Sequence, residues 1–257
     1  MSDFILETKG LTKHYGGVHA LEGADFQLEH GEHVAIMGDN GAGKSTFVRQ
    51  ITGVEQRTRG EVIFDGQPVN FAGPLDAREA GIETVFQTLA LADHLDAPAN
   101  LFLGRELKTR FGNLDDARML EESRKVLARL NPNFKNLTDP VSSLSGGQRQ
   151  VIAIARAIYF DTKVLIMDEP TAALGPSETA MVADLIRQLQ AEGIGILLVS
   201  HDMHDVFDLC NRVVVMNKGR LVGAHGIDEV SKDDVLSLIV KGELPADWSA
   251  RNLEAVQ

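Results

Sequence analysis

The fold is decided by the stretch Gly38-Asp39-Asn40-Gly41-Ala42-Gly43-Lys44-Ser45-Thr46, which fits the pattern G-x-x-x-x-G-K-[ST]. The short apolar run Val34-Ala35-Ile36-Met37 comes directly before it and predicts a buried strand. Phe47, Ile51 and Val54 follow it at helical spacing. A loop in this position can point several backbone N–H groups, and the positive end of the helix dipole, at one anion. The stretch therefore predicts a phosphate-binding loop between a strand and a helix.

Two side chains of this loop predict its chemistry. Lys44 is placed to reach the β- and γ-phosphates of a nucleotide, and the hydroxyl of Ser45 is placed to ligate Mg²⁺. The small residues Gly41, Ala42 and Gly43 let the backbone bend around the phosphates. The alternative is a glycine-rich turn that contains a lysine by chance. The strand and the helix on either side make that interpretation the weaker one.

The composition limits the class of protein. The chain has 257 residues, enough for one large α/β domain or for a core with a smaller attached subdomain. A formal net charge of −12 argues against a nucleic-acid-binding protein, which needs a basic surface. The only cysteine, Cys210, excludes an intramolecular disulfide and a thiolate metal site, and it is typical of a reduced cytosolic compartment.

No stretch of the sequence predicts secretion or membrane insertion. Residues 1–7 lack a basic segment and a long apolar segment, so we expect no secretion signal. The longest apolar runs, such as residues 196–199, are too short to cross a bilayer. If the protein works at a membrane, we expect another polypeptide to supply the membrane-spanning segments.

Alternating residues before the loop predict antiparallel strands. Phe4-Ile5-Leu6 and the alternating Ala24, Phe26 and Leu28 indicate strands that are half buried. Tyr15 lies between them beside two glycines, where it could stack on an adenine ring or be an ordinary aromatic residue in a turn. Position alone favours neither interpretation.

Acidic side chains follow one predicted buried strand. Val164-Leu165-Ile166-Met167 is followed by Asp168 and Glu169, as expected of a parallel strand whose carboxyl end faces a ligand. We expect Asp168 to hold Mg²⁺ through water and Glu169 to orient or deprotonate the attacking water. A chance acidic pair is the alternative, and the phosphate-binding loop earlier in the chain makes it the weaker one.

Two further predicted strands end on polar side chains. Residues 82–87 indicate a strand that ends on Gln87, whose amide could contact Mg²⁺ and a water or could simply lie at the surface. Residues 194–200 indicate a strand that is closed by His201. This histidine could donate a hydrogen bond to a γ-phosphate or have a structural role. For both residues, the chemistry at the other strand ends favours the functional interpretation.

Residues 88–160 have the pattern of helices. Apolar residues mark one face of a helix in this segment, namely Met119, Leu120, Val126, Leu127 and Leu130. Near its end, Ser145 of the run Leu144-Ser145-Gly146-Gly147-Gln148 can cap a helix. The two glycines would let a large anion approach the first N–H groups of that helix. Taken alone, this run favours the simpler interpretation, a turn that caps a helix.

These features predict an α/β protein with a P-loop NTPase core, an antiparallel β subdomain and an inserted helical subdomain. We expect a single domain over residues 1–257, with a core formed by residues 1–87 and 161–241. The helical subdomain is expected over about residues 88–160, and a C-terminal tail over residues 242–257.

The motifs, taken in order, resemble those of the ATPase subunit of an ABC transporter. They are the loop from Gly38 to Ser45, Gln87, Leu144-Ser145-Gly146-Gly147-Gln148, Met167-Asp168-Glu169-Pro170 and His201. The resemblance extends over almost the whole chain, and this combination is far more specific than any one motif. It implies the ABC ATPase fold, with ATP and Mg²⁺ as cofactors.

The resemblance also implies a role for each motif. Tyr15 resembles the adenine-stacking aromatic residue, Glu169 the general base and His201 the switch histidine. Gln87 resembles the residue that senses Mg²⁺, and residues 145–148 resemble the signature that binds the ATP of the opposite subunit. The implied Mg²⁺ ligands are Ser45, Gln87 and Asp168, and the implied catalytic residues are Gln87, Glu169 and His201. The implied nucleotide contacts are Tyr15, Gly38, Asp39, Asn40, Gly41, Ala42, Gly43, Lys44, Ser45, Thr46, Ser145, Gly146, Gly147 and Gln148.

The implied partners are a second copy of the chain and transmembrane permease subunits, with the chain on the cytoplasmic side of the inner membrane. Asn100-Leu101-Phe102-Leu103-Gly104-Arg105-Glu106 resembles a segment of bacterial importers of the ribose, xylose and fructose type, which implies sugar uptake and, indirectly, a periplasmic sugar-binding protein. The alternatives are a soluble ABC ATPase of translation or DNA repair, and an exporter ATPase. The chain departs from the family at Gly175, where an aspartate is usual, so this position offers no carboxylate to the opposite subunit.

Overall fold

A computed structural model describes residues 3–135, 137–246 and 248. Most of the predicted tail at residues 242–257 lies outside the described residues, as do the first two residues of the stretch that predicts no secretion signal. The strands are β1 (Phe4–Tyr15), β2 (Val18–Glu29), β3 (His33–Gly38), β4 (Arg59–Phe64), β5 (Gln67–Val69), β6 (Ile82–Val85), β7 (Val164–Asp168), β8 (Gly195–Val199), β9 (Arg212–Asn217) and β10 (Arg220–Gly226). The helices are α1 (Lys44–Ile51), α2 (Pro74–Ala80), α3 (Ala97–Leu101), α4 (Asp116–Leu130), α5 (Gly146–Ile158), α6 (Pro176–Ala191), α7 (Met203–Leu209) and α8 (Lys232–Lys241), with a 3₁₀ turn at Val141–Ser143.

The strands form two sheets. The larger sheet has six strands in the order β10-β9-β3-β8-β7-β6, and all its neighbours are parallel except the edge pair β10 and β9. The smaller sheet has four antiparallel strands in the order β2-β1-β4-β5. The predicted α/β fold class with an antiparallel β subdomain is confirmed. Because β3, β6, β7 and β8 are parallel, their carboxyl ends meet at one edge of the sheet.

The burial of the central strands explains why they are apolar throughout. All six residues of β3 and all five residues of β8 are buried, as expected when both faces of a parallel sheet are covered. One core packs between the two sheets and includes Phe26 of β2 and Phe47 of α1, whose rings meet edge to face at 5.3 Å. The helix that follows the phosphate loop is thus packed in the core between the two sheets.

Two element ends differ from the sequence prediction. The helix after the loop ends at Ile51, and Val54 lies beyond it with an exposed side chain, so its assignment to the helix was wrong. Gly53 explains the early end, since it has a φ of 69° and an added Cβ would lie 2.6 Å from Cβ of Phe71. The strand predicted to end on Gln87 ends at Val85, because β6 pairs with β7 only up to that residue.

Residues 88–160 contain α3, α4 and α5, whose apolar faces pack into one core. The predicted face of α4 is buried at Met119, Val126, Leu127 and Leu130, and Leu120 is half buried. The same core continues through α5 to β7 residues on one face of the larger sheet. The helical segment is therefore packed directly onto the sheet, and the domain boundaries given above stay a prediction.

The segment at residues 100–106 joins the helical region to the sheet. The buried amide of Asn100 accepts a hydrogen bond from the Ala92 backbone N–H (2.7 Å) and donates to the Leu95 carbonyl (3.2 Å). Arg105 donates to the buried carboxylate of Glu83 in β6 (2.8 Å), and its guanidinium lies 3.7 Å from the ring centroid of Phe160. This segment thus links the helices to the strand that leads to Gln87.

None of the helices in the described ranges combines the length and the apolar character that crossing a membrane requires.

Candidate nucleotide-binding site

The carboxyl ends of the parallel strands border a cavity of about 440 Å³. Its lining brings together residues from the loop after β3, the segment after β6, the end of β7 and the end of β8. The lining residues are Ala20, Asn40, Gly41, Ala42, Gly43, Lys44, Ser45, Thr46, Gln87, Asp168, Glu169 and Val199. The cavity therefore unites the predicted phosphate loop with the predicted acidic pair and Gln87.

Close backbone packing requires glycine at both ends of the loop. Gly38 has a φ of 154°, and an added Cβ would lie 2.4 Å from the carbonyl oxygen of Met216. Gly43 has a φ of 108°, and an added Cβ would lie 2.7 Å from the carbonyl oxygen of Ala20. These distances are shorter than any ordinary Cβ contact, so the loop can hold this path only with glycine at both positions.

Lys44 lies across the inside of the loop. Its ammonium donates to the carbonyl oxygens of Gly38 (2.7 Å) and Asp39 (3.1 Å). Lys44 is also the first residue of α1, so its charge sits beside the positive end of the helix dipole. The ammonium and the first N–H groups of α1 together favour a bound anion at this edge.

The acidic pair occupies the opposite wall of the cavity. Asp168 is the last residue of β7, and Glu169 follows with a φ of 53° and donates its N–H to the Val199 carbonyl (2.8 Å). Burial raises the pKa of Asp168, the neighbouring Glu169 raises it further, and Lys44 lowers it. A partly buried carboxylate beside a second acid is a site where a cation is favourable.

The donor set fits a bound Mg²⁺. The hydroxyl of Ser45, the amide of Gln87 and the carboxylate of Asp168 all line the same cavity, and each offers oxygen. Mg²⁺ prefers oxygen ligands and usually keeps several waters together with one or two carboxylates and substrate phosphates. Ser45 and Gln87 are exposed, which leaves room for those waters.

His201 contacts the acidic pair from outside the cavity lining. Its Nδ1 donates to Oε1 of Glu169 (2.7 Å), and 76% of its side chain is exposed. The hydrogen bond and the charge of Glu169 raise the pKa of His201. The imidazole is therefore held next to Glu169 while it still faces solvent.

Tyr15 lies beside α1 and outside the cavity lining. Its hydroxyl donates to the carboxylate of Glu55, and the ammonium of Lys13 lies 5.0 Å from its ring centroid. Burial raises the pKa of Tyr15, and Glu55 raises it further. The side chain is 43% exposed, so its ring remains available to a ligand.

The Ser145-Gly146-Gly147-Gln148 run caps α5 and does not line the cavity. The N–H of Gln148 donates to Oγ of Ser145 (3.3 Å), and the N–H of Ser145 donates to Oε1 of Gln148 (3.0 Å). This reciprocal pair is a capping box, so the predicted cap is present. Ser145 and Gly146 are exposed, so their surface is open to another molecule.

Glu178 is a residue that the sequence analysis missed. Its Oε1 accepts from the N–H of Gly147 (3.2 Å), and its Oε2 accepts from the N–H of Gly175 (3.3 Å). Hydrogen bonds from Ser145, Gly147 and Gly175 lower the pKa of Glu178. The signal in the sequence for its contact with Gly175 was the three-residue spacing of an N-cap residue and an acidic N3 residue, which allows the half of a capping box in which the carboxylate accepts from the N-cap N–H. Ala20 and Val199 of the cavity wall were also missed, because they contribute as small or apolar lining without any motif.

Comparison with known proteins gives a family match and close relatives. Residues 21–172 match the model of the family described as ABC transporter. A fructose import ATP-binding protein of Rhizobium meliloti is 42% identical over 248 residues, which cover 94% of this chain and 95% of that protein. A xylose/arabinose import ATP-binding protein of Sulfolobus acidocaldarius is 39% identical over 239 residues, which cover 93% and 94% of the two chains. A ribose import ATP-binding protein of Hahella chejuensis is 37% identical over 92% of this chain, which spans only 47% of that longer protein.

Solved structures show the same fold. The chain cbiO1 from Clostridium perfringens, part of an ABC transporter complex, has a TM-score of 0.78 and 31% identity, with 97% of this chain and 99% of that chain covered. The ATP-binding cassette MJ0796, solved as a dimer in a post-hydrolysis state bound to ADP and Pi, has a TM-score of 0.73 and 26% identity, with 86% and 98% covered.

Proposed function

The chain belongs to the ABC transporter family, and from this premise we propose that it is the ATP-hydrolysing subunit of an importer, which couples ATP hydrolysis to sugar uptake through separate membrane subunits. The observation that carries the proposal is the cavity that joins the phosphate loop to Gln87, Asp168 and Glu169. The import names of the relatives favour this function over an exporter or a soluble ABC ATPase.

The loop binds and orients the triphosphate. Lys44 turns its ammonium from the loop carbonyls to the β- and γ-phosphates, and the N–H groups at the start of α1 hold the same oxygens. Ser45, Gln87 and Asp168 would hold Mg²⁺, which would supply charge stabilisation at the transferring phosphoryl group. Tyr15 provides the ring that stacks on adenine, because it lies beside α1 with an exposed face.

Glu169 accepts the proton of the attacking water, and His201 positions this carboxylate. The hydrogen bond from Nδ1 of His201 holds Oε1 of Glu169, and Glu169 itself lines the cavity in which the attacking water would lie. His201 also offers a proton donor at the rim of the cavity, where the γ-phosphate of a bound nucleotide would end. Residues 145–148 serve the ATP of a second copy, because Ser145 and Gly146 are exposed and the run lies outside the cavity of its own copy.

The proposed assembly is a homodimer on the cytoplasmic side of the membrane, bound to permease subunits. The dimeric cassette structures support two copies, and the import names of the relatives support a permease and, through it, a periplasmic sugar-binding protein. Xylose, arabinose, fructose and ribose are the sugars that the relatives' names supply as first candidates.

The test joins turnover to transport. The genes beside its own gene are searched for a permease and a binding protein, and the chain is co-expressed with those that are found. Uptake of each labelled candidate sugar is then measured, together with ATP hydrolysis by the purified complex. We expect Glu169→Gln to keep ATP binding and to lose about 10²- to 10⁴-fold in turnover, with uptake lost in parallel. Lys44→Ala should weaken ATP binding itself, whereas Glu121→Gln, on an exposed face of α4, should change neither.

Two results would contradict the proposal. Near wild-type hydrolysis in Glu169→Gln would remove this residue from the general-base role. Full ATP hydrolysis by the complex, with sugar release from cells and no sugar accumulation, would favour an exporter.

A further inference from the structure

A cluster of metal-ligating side chains lies on the β1–β2 hairpin, outside the nucleotide cavity. Nε2 of His14 is 2.6 Å and Nδ1 of His19 is 3.2 Å from Oε2 of Glu22. These three ligand atoms all lie within 4.8 Å of one another. We propose that His14, His19 and Glu22 form a binding site for a borderline divalent cation, with Zn²⁺ as the best match. This site goes beyond the proposed ATPase function and does not depend on it.

The donor set selects the chemical class of the cation. Two imidazole nitrogens and one carboxylate oxygen are the ligands of many open zinc sites, in which water takes the fourth position. Bonds of about 2.0–2.2 Å in a tetrahedron place neighbouring ligand atoms about 3.3 Å apart. The side chains therefore rotate on binding, and the two stacked rings splay until the lone pair in the plane of each ring points at the metal. Mg²⁺ and Ca²⁺, which prefer oxygen ligands, fit this set poorly.

The backbone holds the three ligands in place before any metal binds. His14 and His19 are directly opposite each other in the pairing of β1 with β2, and their rings stack at 3.9 Å with 12° between the planes. The N–H of His14 donates to Oγ1 of Thr58 (3.0 Å), and the N–H of Glu22 donates to the Gly219 carbonyl (2.8 Å). Because the backbone of the hairpin is already ordered, only the side chains of the three ligands have to be ordered on binding.

Solvent access and charge also favour a cation here. The side chains of His14, His19 and Glu22 are 19%, 62% and 27% exposed, so the site can be reached and can keep water ligands. Arg59 faces the other oxygen of Glu22, Oε1, at 3.9 Å, which leaves Oε2 directed at the two rings. Arg59 therefore lies on the side of the carboxylate away from the two rings and not among the proposed ligands.

A cation bound to this cluster would also stabilise the β1–β2 hairpin, which is linked to the phosphate loop through Gly219. Gly219, which accepts from Glu22, donates its own N–H to the carbonyl of Ala42 in the phosphate loop (2.9 Å). A cation bound by residues of both strands stabilises the folded hairpin by mass action, since an unfolded hairpin does not assemble the three ligands.

The test uses the untagged full-length protein without nucleotide, because a histidine tag and ATP both bind Zn²⁺. Isothermal titration with Zn²⁺ should show one site per chain, and thermal unfolding should shift upward with Zn²⁺ concentration. His19→Ala and Glu22→Gln should each weaken this binding by more than about tenfold. His30→Ala, which removes an exposed histidine outside the cluster, is the matched control and should bind Zn²⁺ as the wild type does.

Co²⁺ provides a direct report on the ligands. The wild type loaded with Co²⁺ should give visible absorption bands of a low-coordinate nitrogen and oxygen site, and His19→Ala should lose them while its circular dichroism stays unchanged. Absence of Zn²⁺ binding in the wild type would overturn the proposal. The proposal would also be overturned if His19→Ala and Glu22→Gln bound Zn²⁺ as tightly as the wild type does. The metal would then lie elsewhere, such as at Asp168.

Discussion

Among single residues, Glu169 shows how one carboxylate sets the protonation of its neighbour. The negative charge of Glu169 stabilises the protonated form of His201 through the 2.7 Å contact, and this raises the pKa of His201 above its ordinary value. The contact is favourable to folding below the ordinary histidine pKa, and the benefit is lost as the pH rises through the raised pKa. Because the imidazole is exposed, solvent screens most of this stabilisation.

Glu169→Gln should therefore lower the pKa of His201. The neutral amide cannot supply the charge that favours the imidazolium, so between the two pKa values His201 is protonated in the wild type and neutral in the variant. The measurement is an NMR titration of the imidazole signals of His201 in both proteins. Equal titration of His201 in both proteins would show that the contact with Glu169 does not set its charge.

Residues with a local pattern could be predicted from the sequence, and residues that act through long-range contacts could not. The phosphate loop was recognised because its glycines, Lys44 and Ser45 are contiguous and the backbone path requires them in that order. Glu178 was missed because its partner Gly147 lies 31 positions earlier and no spacing in the sequence joins them. Val54 was assigned to a helix because periodicity carries no information about the packing of Gly53 against Phe71.

At the scale of elements, Glu178 ties the start of α5 to the start of α6. One oxygen accepts from the N–H of Gly147 in the capped run, and the other accepts from the N–H of Gly175. Gly175 has an extended backbone (φ −74°, ψ 163°), and an added Cβ would lie 4.0 Å from Oε2 of Glu178, an ordinary van der Waals distance. Neither the backbone conformation nor the surrounding space therefore requires glycine at position 175. Glu178 supplies a carboxylate next to this position, where it accepts from the N–H of Gly175.

Glu178→Ala should loosen the run at residues 145–148 without affecting the phosphate loop. Two N–H groups lose their acceptor, so amide hydrogen exchange at Gly147 and Gly175 should accelerate, while ATP affinity stays near that of the wild type. If residues 145–148 act on the ATP of a second copy, turnover should fall several-fold. Glu178→Gln keeps an acceptor oxygen and should lie between the two proteins. Unchanged exchange at both amides would show that the bridge does not hold these ends together.

It was easier to predict which segments are strands than to predict which strands lie side by side in the sheet. Continuous apolar runs predicted β3, β7 and β8, because strands of a covered parallel sheet are buried on both faces. The strand order β10-β9-β3-β8-β7-β6 was not predicted, since the chain leaves the larger sheet over residues 39–81, between β3 and β6, and again over residues 86–163, between β6 and β7. The cavity depends on that order, which brings the ends of β3, β8 and β7 side by side.

At the scale of the whole molecule, the two halves of the proposed site lie apart in one copy. The cavity is lined by the phosphate loop and the acidic pair, whereas residues 145–148 cap α5 elsewhere, with Ser145 and Gly146 exposed. A second copy related by a two-fold axis can bring its run to the first copy's nucleotide and receive the same contact in return. Each copy carries a net charge of −12, so association without a bridging ligand is opposed by repulsion.

Glu169→Gln should dimerise in Mg-ATP and stay monomeric in ADP or without nucleotide. The uncleaved triphosphate supplies contacts to both copies, and mass action then favours the dimer. Because the copies repel each other, the ATP-bound dimer should become more stable as moderate salt screens their charges, which is opposite to an interface held by exposed ion pairs. Sedimentation velocity across a salt series measures both effects.

Glu169→Gln combined with Ser145→Arg is the control, since it should bind ATP at an intact loop yet remain monomeric. A Glu169→Gln chain that binds Mg-ATP but stays monomeric at every salt concentration, even with its permease, would contradict the shared site, because each copy would then have to complete the nucleotide contacts alone.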